Sequence, residues 1–192
     1  MPGGGVKATY YVLISSNFYN AFSKRHVESL KTIYNLGHDI GLHFDEVKYG
    51  GRNTLTAIEK ELDLLERYLD LPILSVSMHR PSPETLSSDY VIKNGGIINS
   101  YSTEFFHNFK YLSDSRRHWR EDVEAAICSG KYNRLHILTH PFWYSEKERT
   151  GKEAYYEFCR AKVMECYEEL NHNVRDLEEI LSRDELEEGA WG

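Results

Sequence analysis

Apolar residues along this chain recur with two alternating periods. Ile40, Leu42 and Phe44 are separated by Gly41 and His43, the two-residue repeat of a strand that buries one face. Leu55, Ile58, Leu62, Leu65 and Leu69 follow at steps of three and four, which predicts a helix over 54–69 with Pro72 just past its end. Residues 6–14, rich in β-branched and aromatic side chains, predict a buried strand. Between the first two strands the pattern predicts a helix with Val27, Leu30, Ile33 and Tyr34 on one face, Ser23 as N-cap and Gly37 closing it. Residues 73–78, 95–100, 110–113 and 134–139 read as further strands. A short helix is expected to start at Ser82 or Ser88, and another over 121–129 to end at Gly130. Strands that alternate with helices predict an α/β fold with a parallel sheet or barrel.

After Gly151 the pattern changes. Tyr155, Phe158, Val163, Cys166 and Leu170 predict one amphipathic helix, and Val174, Leu177, Ile180 and Leu181 a second or its continuation. The acidic run 184–188 reads as a solvated or frayed tail. The expected division is an α/β domain over 1–150 and a helical segment over 151–192 packed on it.

A length of 192 residues suffices for one real core. The net charge of −7 argues against nucleic acid or an anionic membrane as partner. No apolar run reaches the roughly 18 residues of a membrane span. The first five residues lack the charged and apolar regions of a signal peptide. Cys128, Cys159 and Cys166 are odd in number and not closely spaced. They read as reduced, partly buried thiols of a cytoplasmic protein and argue against a Cys-rich zinc site.

The candidate chemistry lies where strands end. His43 is followed by Phe44, Asp45 and Glu46, His79 by Arg80 and Pro81, and His140 by Pro141. Parallel α/β folds collect their active sites at such carboxyl ends. The imidazoles of His43 and His79, with an oxygen of Asp45, suit a divalent metal such as zinc. The plain alternative is a strand-end histidine that hydrogen-bonds a neighbouring loop. Arg80, after a buried strand and before proline, should have a carboxylate partner, for which Asp114 is the candidate. Asp45 and Glu46 are adjacent on an extended chain and point to opposite faces, so only one is expected to serve a given site. Phe142, Trp143 and Tyr144 beside His140 fit an apolar wall for a sugar, and equally core or a subunit contact. His26, His107, His118, His136 and His172 read as surface or packing residues. The Gly50–Gly51 turn lacks the Lys-Ser/Thr pair of a phosphate loop.

Taken in order, these segments resemble the polysaccharide deacetylase superfamily, the NodB-homology fold, and within it the WbmS-like branch associated with O-antigen polysaccharide synthesis. The match covers roughly residues 6–145. Residues 37–43, Gly-His-Asp-Ile-Gly-Leu-His, are similar to the family's second motif, in which the histidine at 43 is a metal ligand. His79-Arg80-Pro81 resembles the third motif, whose arginine orients the catalytic base. Asp114-Ser115 with Trp119 resembles the fourth. Leu138-Thr139-His140-Pro141 resembles the fifth, whose histidine is the general acid. The resemblance implies a metal-dependent hydrolase that cleaves the amide of an N-acylated sugar or polysaccharide precursor. Arg80, Asp114 and His140 would be catalytic, His43, His79 and Asp45 metal-binding, and Trp119, Trp143 and Tyr144 in contact with substrate.

Two departures qualify that expectation. The family's first motif is a strand that ends in paired aspartates, whereas the first aspartate here is Asp39. A crossover of ten or more residues cannot fit before residue 6, so the expected fold is an incomplete NodB-type (β/α) barrel without its first strand and helix, carrying a C-terminal helical segment. The usual second metal histidine falls four residues after the first, and position 47 is valine. His79 or Asp45 would replace it. The alternatives are a non-catalytic carbohydrate-binding or scaffolding relative, and a truncated fragment of a full-length deacetylase. A missing interior strand would leave open sheet edges through which copies of the chain could pair as a homo-oligomer.

Overall fold

The computed structural model describes residues 5–51 and 53–191, with only the backbone over 188–191. The chain forms two compact units, one of residues 5–112 and 123–137, the other of 113–122 and 138–191. The expected boundary at 150/151 therefore falls inside the second unit. Among the described residues no helix is long and apolar enough to cross a membrane.

The first unit alternates strand and helix as the two periods predict. It runs β1 (Thr9–Val12), α1 (Lys24–Asn35), β2 (Asp39–Phe44), α2 (Thr54–Leu69), β3 (Ser75–Met78), α3 (Pro83–Ser88), β4 (Ile98–Asn99) and α4 (Thr103–His107). The four strands make one parallel sheet in chain order, so each helix returns the chain to the next position. The expected strand over 95–100 shrinks to the two residues of β4, because residues 93–95 form a 3₁₀ turn. β1 is an edge strand whose described sheet partner is β2 alone.

Alternation puts Ile40, Leu42 and Phe44 on one face of the central strand. They bury against Ile58, Leu62, Leu65 and Leu69 of α2, with Val12, Val76 and Met78 from the flanking strands in the same core. Each such side chain stabilises the unit by about 1.5–3 kcal/mol on transfer from water. Ser23 caps α1 by accepting from the His26 amide, and Gly37 follows it at φ 93°, where a side chain would be strained. After β2, Tyr49 stacks on Phe44 and donates to the buried Glu61 of α2 at 2.6 Å, which fixes the loop over the core.

β5 (Lys110–Ser113) and β6 (Leu135–Leu138) form a separate pair, with α5 (Val123–Cys128) between them in sequence. Lys110 donates to the Arg134 carbonyl and Asp114 to the Leu138 carbonyl, the constant offset of parallel strands.

The second unit is built on α6 (Gly151–Asn173), which starts in a Thr150–Glu153 capping box. α7 (Leu177–Ile180) and α8 (Arg183–Trp191) follow. Its core is Met164, Tyr167 and Leu177, with Leu181 and Leu186 beside them. The expected apolar face of α6 is not the buried one. Of that face Tyr155, Cys166 and Leu170 are exposed and Phe158 and Val163 half-buried, whereas the buried residues of α6 are Ala154, Met164 and Tyr167. The three cysteines, expected partly buried, are thus exposed thiols. The acidic run expected to fray is helical instead. Ser182 and Glu185 form reciprocal bonds at the start of α8, a Ser-x-x-Glu capping signal present in the sequence.

Candidate functional site

In the first unit the site grows from the ends of β2 and β3. Parallel register sets His43 beside Ser77, and the ladder finishes where the His79 amide donates to the Phe44 carbonyl at 2.8 Å. His79, one residue past β3, thereby reaches back to His43. His43 Nε2 and His79 Nδ1 lie 3.1 Å apart, with the rings edge-on at 76°. As a hydrogen bond, this contact needs one nitrogen protonated and the other bare, a matter of tautomer.

His43 projects from the face opposite the apolar core. Tyr11, Gly41, Ser75 and Ser77 occupy that face, by alternation and register. Strands of a parallel sheet are usually apolar on both faces, so a hydroxyl-rich face marks a place where polar groups have work other than packing. Gly41 is required there by close approach. A Cβ would lie 2.6 Å from the Tyr11 ring and 2.7 Å from Ser75 Oγ. Burial, together with the neighbouring Tyr111, pushes the Tyr101 pKa up to about 12 against a lowering by Ser77. Sequence reading missed these groups, although the alternation of Ser75 and Ser77 within a buried strand was a visible signal.

The two carboxylates after β2 take different loads. Asp45 Oδ1 accepts the Val47 amide at 3.2 Å, and Oδ2 pairs with Arg80. The carboxylate partner of Arg80 is therefore Asp45, where Asp114 was expected. The reason is strand order, because β2 and β3 are neighbours and both residues lie just past their ends. Glu46 turns the other way and accepts from the Ser82 amide and the Thr85 hydroxyl.

Burial alone would raise the pKa of Asp45. The Arg80 hydrogen bond, the Val47 amide and the charges of Arg80 and His79 outweigh it and hold the carboxyl below its ordinary value. A group depressed in the native state contributes stability above its unfolded pKa, about 3.9, and loses it as pH falls through the native value. Denaturant unfolding of the wild type against Asp45→Asn is expected to show a gap that is constant above about pH 5 and closes below about pH 4. A gap unchanged by acid would contradict this pairing.

In the second unit Asp114, directly after β5, is buried. Its Oδ2 accepts the His140 amide at 3.0 Å and its Oδ1 lies 2.5 Å from His140 Nδ1. A carboxylate at Nδ1 holds the proton on that nitrogen and turns Nε2 outward, the arrangement that prepares a histidine for proton transfer. Trp143 packs edge-on against Phe142 and Tyr155, with Phe158 in the same cluster. Tyr144 is 56% and Trp119 36% exposed, and the Tyr144 hydroxyl meets Thr139 Oγ1.

For a metal, the fit is partial. Ligand nitrogens on tetrahedral zinc are about 3.3 Å apart for bonds of 2.0–2.1 Å, close to the His43–His79 separation. Asp45, the expected oxygen ligand, has its oxygens on Val47 and Arg80 instead. Among the described residues no three His, Cys, Asp or Glu side chains are grouped to hold an ion. Of the remaining histidines, His136 is enclosed by Phe105 and Tyr111, and burial lowers its pKa.

Comparison with models of known protein families, with curated proteins and with solved structures returned no match.

Proposed function

We propose that this chain is a metal-dependent hydrolase of the polysaccharide deacetylase type, acting in the cytoplasm on an N-acylated amino sugar or polysaccharide precursor. The observation that carries this reading is the 3.1 Å approach of His43 Nε2 to His79 Nδ1 at the carboxyl ends of neighbouring parallel strands. In this reading the fold is of the NodB (β/α) type.

A divalent metal, zinc by its preference for imidazole, would polarise the acyl carbonyl and lower the pKa of a water. His43 and His79 would hold it through Nε2 and Nδ1. Asp45, kept ionised by Arg80, takes the base role and accepts the water proton on a carboxylate oxygen. Within the second unit His140, its Nδ1 proton held by Asp114, is the group this reading gives the acid role, with Nε2 as the donating nitrogen. The amide C–N bond breaks as a C–O bond forms, giving a carboxylate and a free amine. Trp119, Trp143 and Tyr144 are the aromatic groups this reading gives to sugar contact.

A second reading, a carbohydrate-binding relative without catalysis, is favoured by the engagement of Asp45 with Arg80, which leaves two imidazoles as the described ligand set. Amine release from a panel of N-acetylated and N-formylated sugars, with zinc supplied, separates the two. Release that disappears in His43→Ala supports the hydrolase. Saturable sugar binding without release supports the second reading, and neither result removes both.

A further inference from the structure

We infer that Glu46 is a positioning residue for the histidine pair, a clamp that pins the loop after β3 against the end of β2. The inference deepens the site proposed above and rests on the reading that His43 and His79 act together.

β2 and β3 stop pairing at the Phe44–His79 bond. Past it the two chains diverge, one into a 3₁₀ turn over Glu46–Tyr49 and the other toward α3. Glu46 bridges that divergence. It is 8% exposed, with Oε1 accepting the Ser82 amide and Oε2 accepting the Thr85 hydroxyl. Ser82 is the N-cap of α3, and its own hydroxyl accepts the Thr85 amide at 3.2 Å, so Glu46 holds the helix start as one body. Arg80 and Pro81 alone lie between His79 and Ser82. The segment that carries both side chains of interest is therefore tied at each end, by the Phe44 carbonyl and by Glu46.

Burying a carboxylate against two neutral donors is costly compared with an apolar side chain of the same size. Such a group is well suited to hold a loop in one place, since both oxygens demand their donors. Ligand and proton-transfer groups must be held within about 0.5 Å of their working positions, which a loop reaches only with supporting hydrogen bonds. Asp45 grips the Arg80 side chain while Glu46 grips the backbone two residues on. The adjacent carboxylates thus both hold the segment after β3, where only one of the two was expected to serve a given site.

The test uses metal-free full-length protein with Glu46→Ala, Glu46→Gln and Thr85→Val. Histidine side-chain ¹⁵N spectra read the ring nitrogens of His43 and His79, and amide exchange reads Ser82 and Thr85. Glutamine can accept from the Ser82 amide and donate to Thr85, so Glu46→Gln is expected to keep the wild-type ring signals. In Glu46→Ala the ring signals should move to those of solvent-exposed histidine, and the two amides should exchange about tenfold faster, as for loss of one hydrogen bond. If Glu46→Ala does not fold, Thr85→Val is expected to show the same changes to a smaller extent. Wild-type ring signals in the folded variant that lacks the contact, or a loss in Glu46→Gln as large as in Glu46→Ala, would overturn the inference. Absence of zinc binding by the wild type would overturn the proposed function instead and leave the ring-nitrogen comparison to decide Glu46.

Discussion

Alanine at either His43 or His79 is expected to weaken zinc binding by about two orders of magnitude and to abolish amine release. Four-ligand zinc sites in small peptides yield roughly 10–16 kcal/mol, so one ligand accounts for about 3 kcal/mol, or two factors of ten. The imidazole nitrogens already lie near the separation of two corners of a zinc tetrahedron, so little rearrangement is needed to bind. His79 is exposed, and its loss should change folding stability by no more than about 0.5 kcal/mol. A chelator-competition titration, run beside thermal unfolding, separates lost ligation from lost fold. Equal affinity in the wild type and both variants would remove the pair as a metal centre.

Gly41→Ala should destabilise the first unit by about 2–3 kcal/mol, and Gly41→Val by more. Gly41 sits in the middle of the central pair of strands, with Tyr11 opposite it in β1 and Ser75 beside it in β3. The added carbon would meet the Tyr11 ring at 2.6 and 2.7 Å and Ser75 Oγ at 2.7 Å. The Ser75 hydroxyl can rotate away, but the ring moves only by leaving its rotamer or by parting the strands. The phenol of Tyr11 is thus the cause of the penalty, which a double-mutant cycle reads directly. Tyr11→Ala combined with Gly41→Ala should cost at least 1 kcal/mol less than the sum of the two single changes in urea unfolding. Strict additivity would show that the ring contact is not the reason for glycine.

Much of the first unit could be read in the sequence, because its helices and strands have clean periods. The helix at 54–69 and the strand at 110–113 have the expected bounds, and Ser23, Gly37 and Ser82 act as the predicted punctuation. His43 and His79 could be located for the same reason, since each follows a short buried run, whereas β6 before His140 holds no buried residue. The partner of Arg80 was not legible, because it depends on which strands are neighbours in space, and no local pattern states that β3 lies beside β2. The grouping of Ser77, Tyr101 and Tyr111 joins residues of separate elements and left only the polar alternation of β3 as a trace. In the second unit the apolar residues of α6 are spread around the helix, so the side that is buried is chosen by Leu177 and by the Tyr167 hydroxyl, which reaches the Leu181 carbonyl at 2.9 Å. The charge of 184–188 masks α8, whose start is marked instead by Ser182 and Glu185.

The most direct measurement is zinc-edge X-ray absorption of the zinc-loaded protein, with imidazole ligands counted in the wild type, His43→Ala and His79→Ala. The account predicts two imidazoles per zinc in the wild type and one in each variant. A wild type that retains no zinc, or an imidazole count unchanged in both variants, would contradict it.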